Sequence, residues 1–160
     1  MGHAQIITQR SALTAQALAT MGADSEWDRC LRAYLAWDTK VRAQTQYGAY
    51  DKAMEAGTLG RLDLESRFGK GWMRHPDAQG EFESIRAMEK DADDAFTLNF
   101  TVPFWKAARD LVLTPAPSLA AALFKAAVIE WEEVWNDSDM TADCVEILDA
   151  DLARFVGEAA

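Results

Sequence analysis

Residues 23–56 read ADSEWDRCLRAYLAWDTKVRAQTQYGAYDKAMEA, and this stretch decides the fold class. Trp27, Leu31, Tyr34, Val41, Tyr50 and Met54 recur at spacings near three and four, with Cys30, Trp37 and Tyr47 widening the stripe. That period is the one expected of an α-helix with one buried face. Asp24 or Ser25 is placed to cap its start, where a side-chain oxygen accepts a hydrogen bond from a first-turn N–H. Gly48 is expected to bend the helix, and Gly57 and Gly60 to end it.

Working outward, residues 57–80 break the pattern with five glycines and Pro76 in 24 positions, the composition of a connection. Leu62 and Leu64 alternate with Arg61, Asp63 and Glu65, so a short hairpin within 61–75, around Gly69-Lys70-Gly71, is one expectation. Helical spacing resumes at Phe82, Ile85, Met88, Ala92 and Phe96, with Asp77 placed as its cap. Pro103 lacks a backbone donor and clashes with the preceding turn, so the helix must kink or restart there. Thr114 and Pro115 read as N-cap and first position of the next helix, whose apolar face runs from Leu119 to Trp135. After a polar break at 136–141, Val145, Leu148, Leu152 and Phe155 mark a last helix ended by Gly157. The whole reads as an all-α chain: an antiparallel helical bundle or hairpin array of four to five helices. Its expected organisation is a flexible or weakly helical arm at 1–22 and one helical domain at 23–160, with a Gly-rich connection at 57–80. Six tryptophans predict a large aromatic core.

The 160 residues are 49% apolar and 26% charged, which excludes a disordered chain, and no apolar run approaches membrane-spanning length. Residues 1–21 lack a leader pattern, and the two cysteines, Cys30 and Cys144, read as reduced thiols. The expectation is a soluble protein of the cytoplasm.

Charge is unevenly spread. Residues 1–75 carry a net +2 and residues 76–160 a net −12, within a total of −10. Between 126 and 153 lie nine carboxylates, Glu130, Glu132, Glu133, Asp137, Asp139, Asp143, Glu146, Asp149 and Asp151, and no Lys or Arg. A second acidic stretch, 77–94, holds seven carboxylates against Arg86 and Lys90, whereas 61–75 gathers Arg61, Arg67, Lys70 and Arg74 around Phe68 and Trp72. The nine carboxylates are the candidate partner-binding residues, with a basic protein surface as partner. The competing reading is a solvated face that maintains solubility. Phosphate repels such a face, so direct binding of nucleic acid is disfavoured.

Local motifs for catalysis or metal binding do not assemble. The two histidines, His3 and His75, lack the Glu-x-x-His spacing of di-metal bundles. Asp137, Asp139, Thr141 and Asp143 resemble a calcium loop until its sixth and twelfth positions, which are Ala142 and Leu148. Gly69-Lys70-Gly71 lacks the flanking residues of a phosphate loop. No cofactor and no metal is expected, and an enzyme would need a site built across the fold, such as Cys30 or Cys144 beside His75.

The run Leu111-Val112-Leu113-Thr114-Pro115-Ala116-Pro117-Ser118-Leu119-Ala120-Ala121-Ala122-Leu123-Phe124-Lys125 resembles a segment recurring in small uncharacterised helical proteins encoded in bacterial prophage-like regions. The resemblance implies a helical fold and a phage or mobile-element origin, and it transfers no site residues. Charge and resemblance together lead to a non-enzymatic protein that binds a basic partner in a bacterial cell. Its concrete form is a phage-encoded inhibitor of a host nucleic-acid-handling or defence protein, with carboxylates in place of phosphates. The alternatives are a structural, self-associating protein, in which 61–75 of one copy meets the acidic face of another, and an enzyme with an unrecognised site.

Overall fold

Ser25 starts the decisive helix through a reciprocal cap: its Oγ accepts from the Asp28 N–H at 3.1 Å, and its own N–H donates to Asp28 Oδ2 at 3.3 Å. The structure, a computed structural model, describes residues 3–19, 21–22 and 25–157; Asp24, the other expected cap, lies outside them. Among the described residues all regular structure is helical: α1 His3–Ala19, α2 Glu26–Tyr47, α3 Ala49–Phe68, α4 Pro76–Phe96, α5 Val102–Leu113, α6 Leu119–Trp131 and α7 Cys144–Gly157. The all-α expectation holds. No described helix is long and apolar enough to cross a membrane.

Several boundaries correct the sequence reading. Gly48 takes an extended conformation and separates α2 from α3, as a bend there anticipates. Gly57 and Gly60, by contrast, do not end a helix; α3 runs through both to Phe68. A Cβ at Gly57 would lie 2.0 Å from Glu89 Oε1, and one at Gly60 would lie 2.7 Å from Ile85 Cδ1. These glycines serve close approach of α3 and α4, which offsets their unfavourable helix propensity. The terminator is Gly69, at φ 76°, whose N–H donates to Glu65 O at 2.8 Å. The expected hairpin within 61–75 is therefore absent, and the connection shrinks from 57–80 to 69–75, including a 3-10 turn at Trp72–Arg74. Pro76, not Asp77, opens α4, because its missing N–H is one the first turn leaves unused. Near Pro103 the chain takes a π-helical turn at Thr97–Thr101 before α5. Thr114 does not cap α6; Ser118 does, its Oγ accepting from the Ala121 N–H at 3.2 Å. Ala116 precedes Pro117 and is thereby biased out of the helical region, which disfavours a helix start at Pro115.

The chain divides into two compact units, residues 1–36 with 105–160, and residues 37–104. The second unit is built on an antiparallel hairpin of α3 and α4. Arg61 pairs with Glu89 at 2.6 Å and Arg67 pairs with Glu81, one number rising as the other falls. Leu64, Trp72 and Ala78 form its core, with Phe68, Phe82 and Ile85 against them. Tyr50 stacks on Phe96 at 4.5 Å.

In the first unit α1 packs against α6. Ala17 is buried, and Arg10 donates to Tyr34 Oη at 3.1 Å and to Glu132 Oε1 at 2.8 Å. Trp27, Leu31, Tyr34, Leu111, Phe124 and Val128 are buried here. Phe124 meets both Tyr34 and Trp131 edge-on, at 6.2 Å in each case. The aromatic-core expectation holds for Trp27 and Trp72 but not for Trp135, which is 58% exposed.

Candidate functional site

The nine carboxylates of 130–151 fall into two groups. Asp151 is buried, contrary to its place in the expected surface. Its carboxylate takes Lys125 and Arg154 and accepts from the Ala116 N–H at 3.1 Å. Lys125 is fully buried and also donates to Thr114 O at 2.6 Å, while Arg154 donates to Ala116 O at 3.0 Å. Together they clamp the Thr114–Pro117 junction, whose backbone groups would otherwise be buried unpaired. Burial pushes the Lys125 ammonium below its ordinary range, and Asp151 opposes that shift.

Glu132 and Asp137 are also drawn inward. Glu132 accepts from Arg10 and from Tyr34 Oη, both at 2.8 Å. Asp137 accepts from Arg109 at 2.6 Å and from the Asp139 N–H at 3.0 Å. Burial works to raise the Asp137 pKa, but the Asp139 N–H and Arg109 outweigh it and hold the carboxyl below the usual range. Of the nine expected partner-facing acids, these three each neutralise a cation of their own fold, and Asp151 is buried.

Six acids remain at the surface. Glu130, Glu133, Glu146 and Asp149 are exposed, with no ion-pair partner among the described residues. Asp139 is 72% exposed and lies 3.4 Å from Arg109. Asp143 is exposed and caps α7, accepting from Val145 N–H at 2.8 Å and Glu146 N–H at 3.3 Å. That capping role accounts for the apparent calcium loop, and no cluster of three or more His, Cys, Asp or Glu able to hold a metal occurs among the described residues. Glu133 sits at φ 51°, a left-handed turn that ends α6 and leads into the 3-10 turn Val134–Asn136. There Val134 points into the core and Trp135 outward.

Beside Trp135 is a hollow of about 420 Å³ lined by Met140, Asp143, Cys144 and Val145 among others. Cys144 is nearly inaccessible, and burial, with Asp143 adding, pushes its thiol up. A second hollow, of about 470 Å³, lies beside Cys30, whose Sγ is 3.4 Å from Thr114 Oγ1. Among the described residues no histidine lines either hollow, and His75 stacks on Phe68 within the unit 37–104.

Two features escaped the sequence reading, the buried Lys125–Asp151 pair and the exposed Trp135. Comparison with protein-family models, with curated proteins and with solved structures yields no match to this chain.

Proposed function

We propose that the chain acts by binding a protein partner, presenting Glu130, Glu133, Asp139, Asp143, Glu146 and Asp149 to a basic surface. The observation that supports this most directly is that four of these carboxylates, Glu130, Glu133, Glu146 and Asp149, stand exposed with no ion-pair partner among the described residues. In the α3–α4 hairpin Glu81, Glu89 and Asp94 each have a cation, whereas Glu83, Asp91 and Asp93 are likewise exposed without an ion-pair partner among the described residues. An unneutralised cluster speeds encounter with an oppositely charged partner and sets orientation, more than it adds affinity. The resemblance of residues 111–125 to proteins of prophage-like regions favours a host nucleic-acid-handling or defence protein as that partner, with carboxylates mimicking phosphates in the bacterial cytoplasm.

The test is capture from bacterial lysate at rising salt. Wild-type capture should fall steeply as salt screens the charges, between about 0.05 and 0.5 M. The fourfold variant Glu130→Lys, Glu133→Lys, Glu146→Lys, Asp149→Lys should capture nothing while keeping the helical circular dichroism of the parent. Equal capture by parent and variant would overturn the reading.

A further inference from the structure

We infer that a second copy of this chain fits the acidic surface, through a head-to-tail contact in which the α3–α4 turn of one copy enters the hollow beside Trp135 of another. The inference rests on the reading of that surface as a binding surface, and it assigns the hollow beside Trp135 to another copy of the chain.

The receiving side is apolar at its centre and negative at its rim. Trp135 is 58% and Val145 49% exposed, with Met140 half-buried beside them in the hollow of about 420 Å³. An indole left in water on a chain that buries Trp27 and Trp72 is a large area for a partner to cover, and tryptophan is a frequent centre of binding energy. Asp143 lines the same hollow, and Glu133 and Asp139 flank it in sequence.

The entering side has the opposite character. Of the four cations in 61–75, Arg61 is held by Glu89, and Arg67 by Asp63 and Glu81. That leaves Lys70 and Arg74, both exposed and without an ion-pair partner among the described residues. Met73 lies between them and is 59% exposed. Asp77, the acid nearest in sequence, stands 3.9 Å from His75 Nδ1. Buried Trp72 seats the turn on Leu64 and Ala78, so the thioether and the two cations are presented on an ordered base. A thioether makes favourable contact with an aromatic ring, and two cations beside it match the carboxylates beside Trp135.

Each copy holds both halves, so every copy can give a tip to one neighbour and take a tip into its own hollow. One turn covers less area than a standard interface, so association is weak and concentration-dependent. The net charge of −10 opposes approach of two copies at long range. At about 0.15 M salt that repulsion is screened beyond roughly 8 Å, whereas contacts at hydrogen-bond range persist.

Sedimentation of the full chain at about 0.15 M salt tests the idea. The average mass of the parent should climb above that of a monomer as concentration rises. Two surface variants, Lys70→Glu with Arg74→Glu (tip) and Trp135→Ser (hollow), should each lose at least about tenfold in association constant. Mixed together they should form a one-to-one heterodimer and nothing larger, since each keeps one intact half. A parent that stays monomeric, a variant that still self-associates, or a mixture that does not pair would each overturn the inference. A monomeric parent whose lysate capture still falls with salt would sink this inference and leave the acidic-surface reading standing.

Discussion

Asp151→Asn removes one charge from a site where three groups depend on it. Asparagine keeps the shape and can still accept from the Ala116 N–H, but Lys125, fully buried, loses its counter-charge while Arg154 stays close. Breaking a buried pair from one side costs about 3–5 kcal/mol. The lysine has one escape, loss of its proton, and that sets a ceiling. With an unfolded pKa of about 10.4, deprotonation costs about 4.6 kcal/mol at pH 7 and about 1.9 kcal/mol at pH 9. The folded pKa of Lys125 is already lowered by burial, and Asp151 is the group that resists the shift, so the variant lowers it further. A group whose folded pKa lies below its unfolded value gains stability as pH rises between the two, because the unfolded chain then binds the extra proton. The deficit of the variant should therefore shrink from about 4 kcal/mol at pH 7 to about 2 kcal/mol at pH 9. Urea unfolding followed by circular dichroism, on parent and variant at both pH values, measures it. A deficit below about 1 kcal/mol at pH 7, or one unchanged at pH 9, would show that Lys125 is not held as a buried cation.

Glu133→Gly should raise stability by about 0.5–1 kcal/mol, or roughly 1–4 °C in Tm, since glutamate at φ 51° bears a Cβ clash that glycine lacks. A Tm that falls would contradict the left-handed assignment. Gly57→Ala should destabilise the parent, because its Cβ displaces Glu89 from Arg61; overpacking of this kind costs about 1–3 kcal/mol. In a Glu89→Ala background the same change should stabilise by up to about 1 kcal/mol through helix propensity, and a thermal melt of all four proteins shows whether the sign reverses.

How much of this fold is legible beforehand depends on whether the deciding contact is local. The stripe from Trp27 to Tyr34 is local, as are the cap at Ser25 and the break at Gly48, and these could be read directly. Gly57 and Gly60 could not, because what makes them tolerable lies on α4, at Ile85 and Glu89. A glycine that ends a helix and one that admits a neighbouring helix look alike in one dimension. The junction at 114–118 departs from the expected start for a local reason: Thr-Pro has the chemistry of a helix start, but the second proline disfavours helical backbone at Ala116.

The acids of 130–151 show the same division inside the candidate site. Asp151 stands three residues after Leu148 and four before Phe155, on the apolar stripe of α7, and Lys125 stands four after Ala121 and three before Val128 on that of α6. A lone cation and a lone anion, each placed where a helix buries its side chains, are expected to find one another, because neither is tolerated alone at such a position. Periodicity therefore already argued against counting Asp151 among surface charges. Glu132 and Asp137 offered no such sign. Both lie past the end of α6, where no helical period assigns a face, and their partners, Arg10 and Arg109, are 122 and 28 positions away. Summed charge along a chain thus overstates a surface by those acids that the fold spends on its own cations. Periodicity places some of those acids inside, and turns deliver others to distant arginines. What remains is smaller than the sequence run: four exposed carboxylates without an ion-pair partner among the described residues, and Asp143 in the hollow beside an exposed tryptophan. Its centre is apolar, and uniform negative charge alone would distinguish few partners.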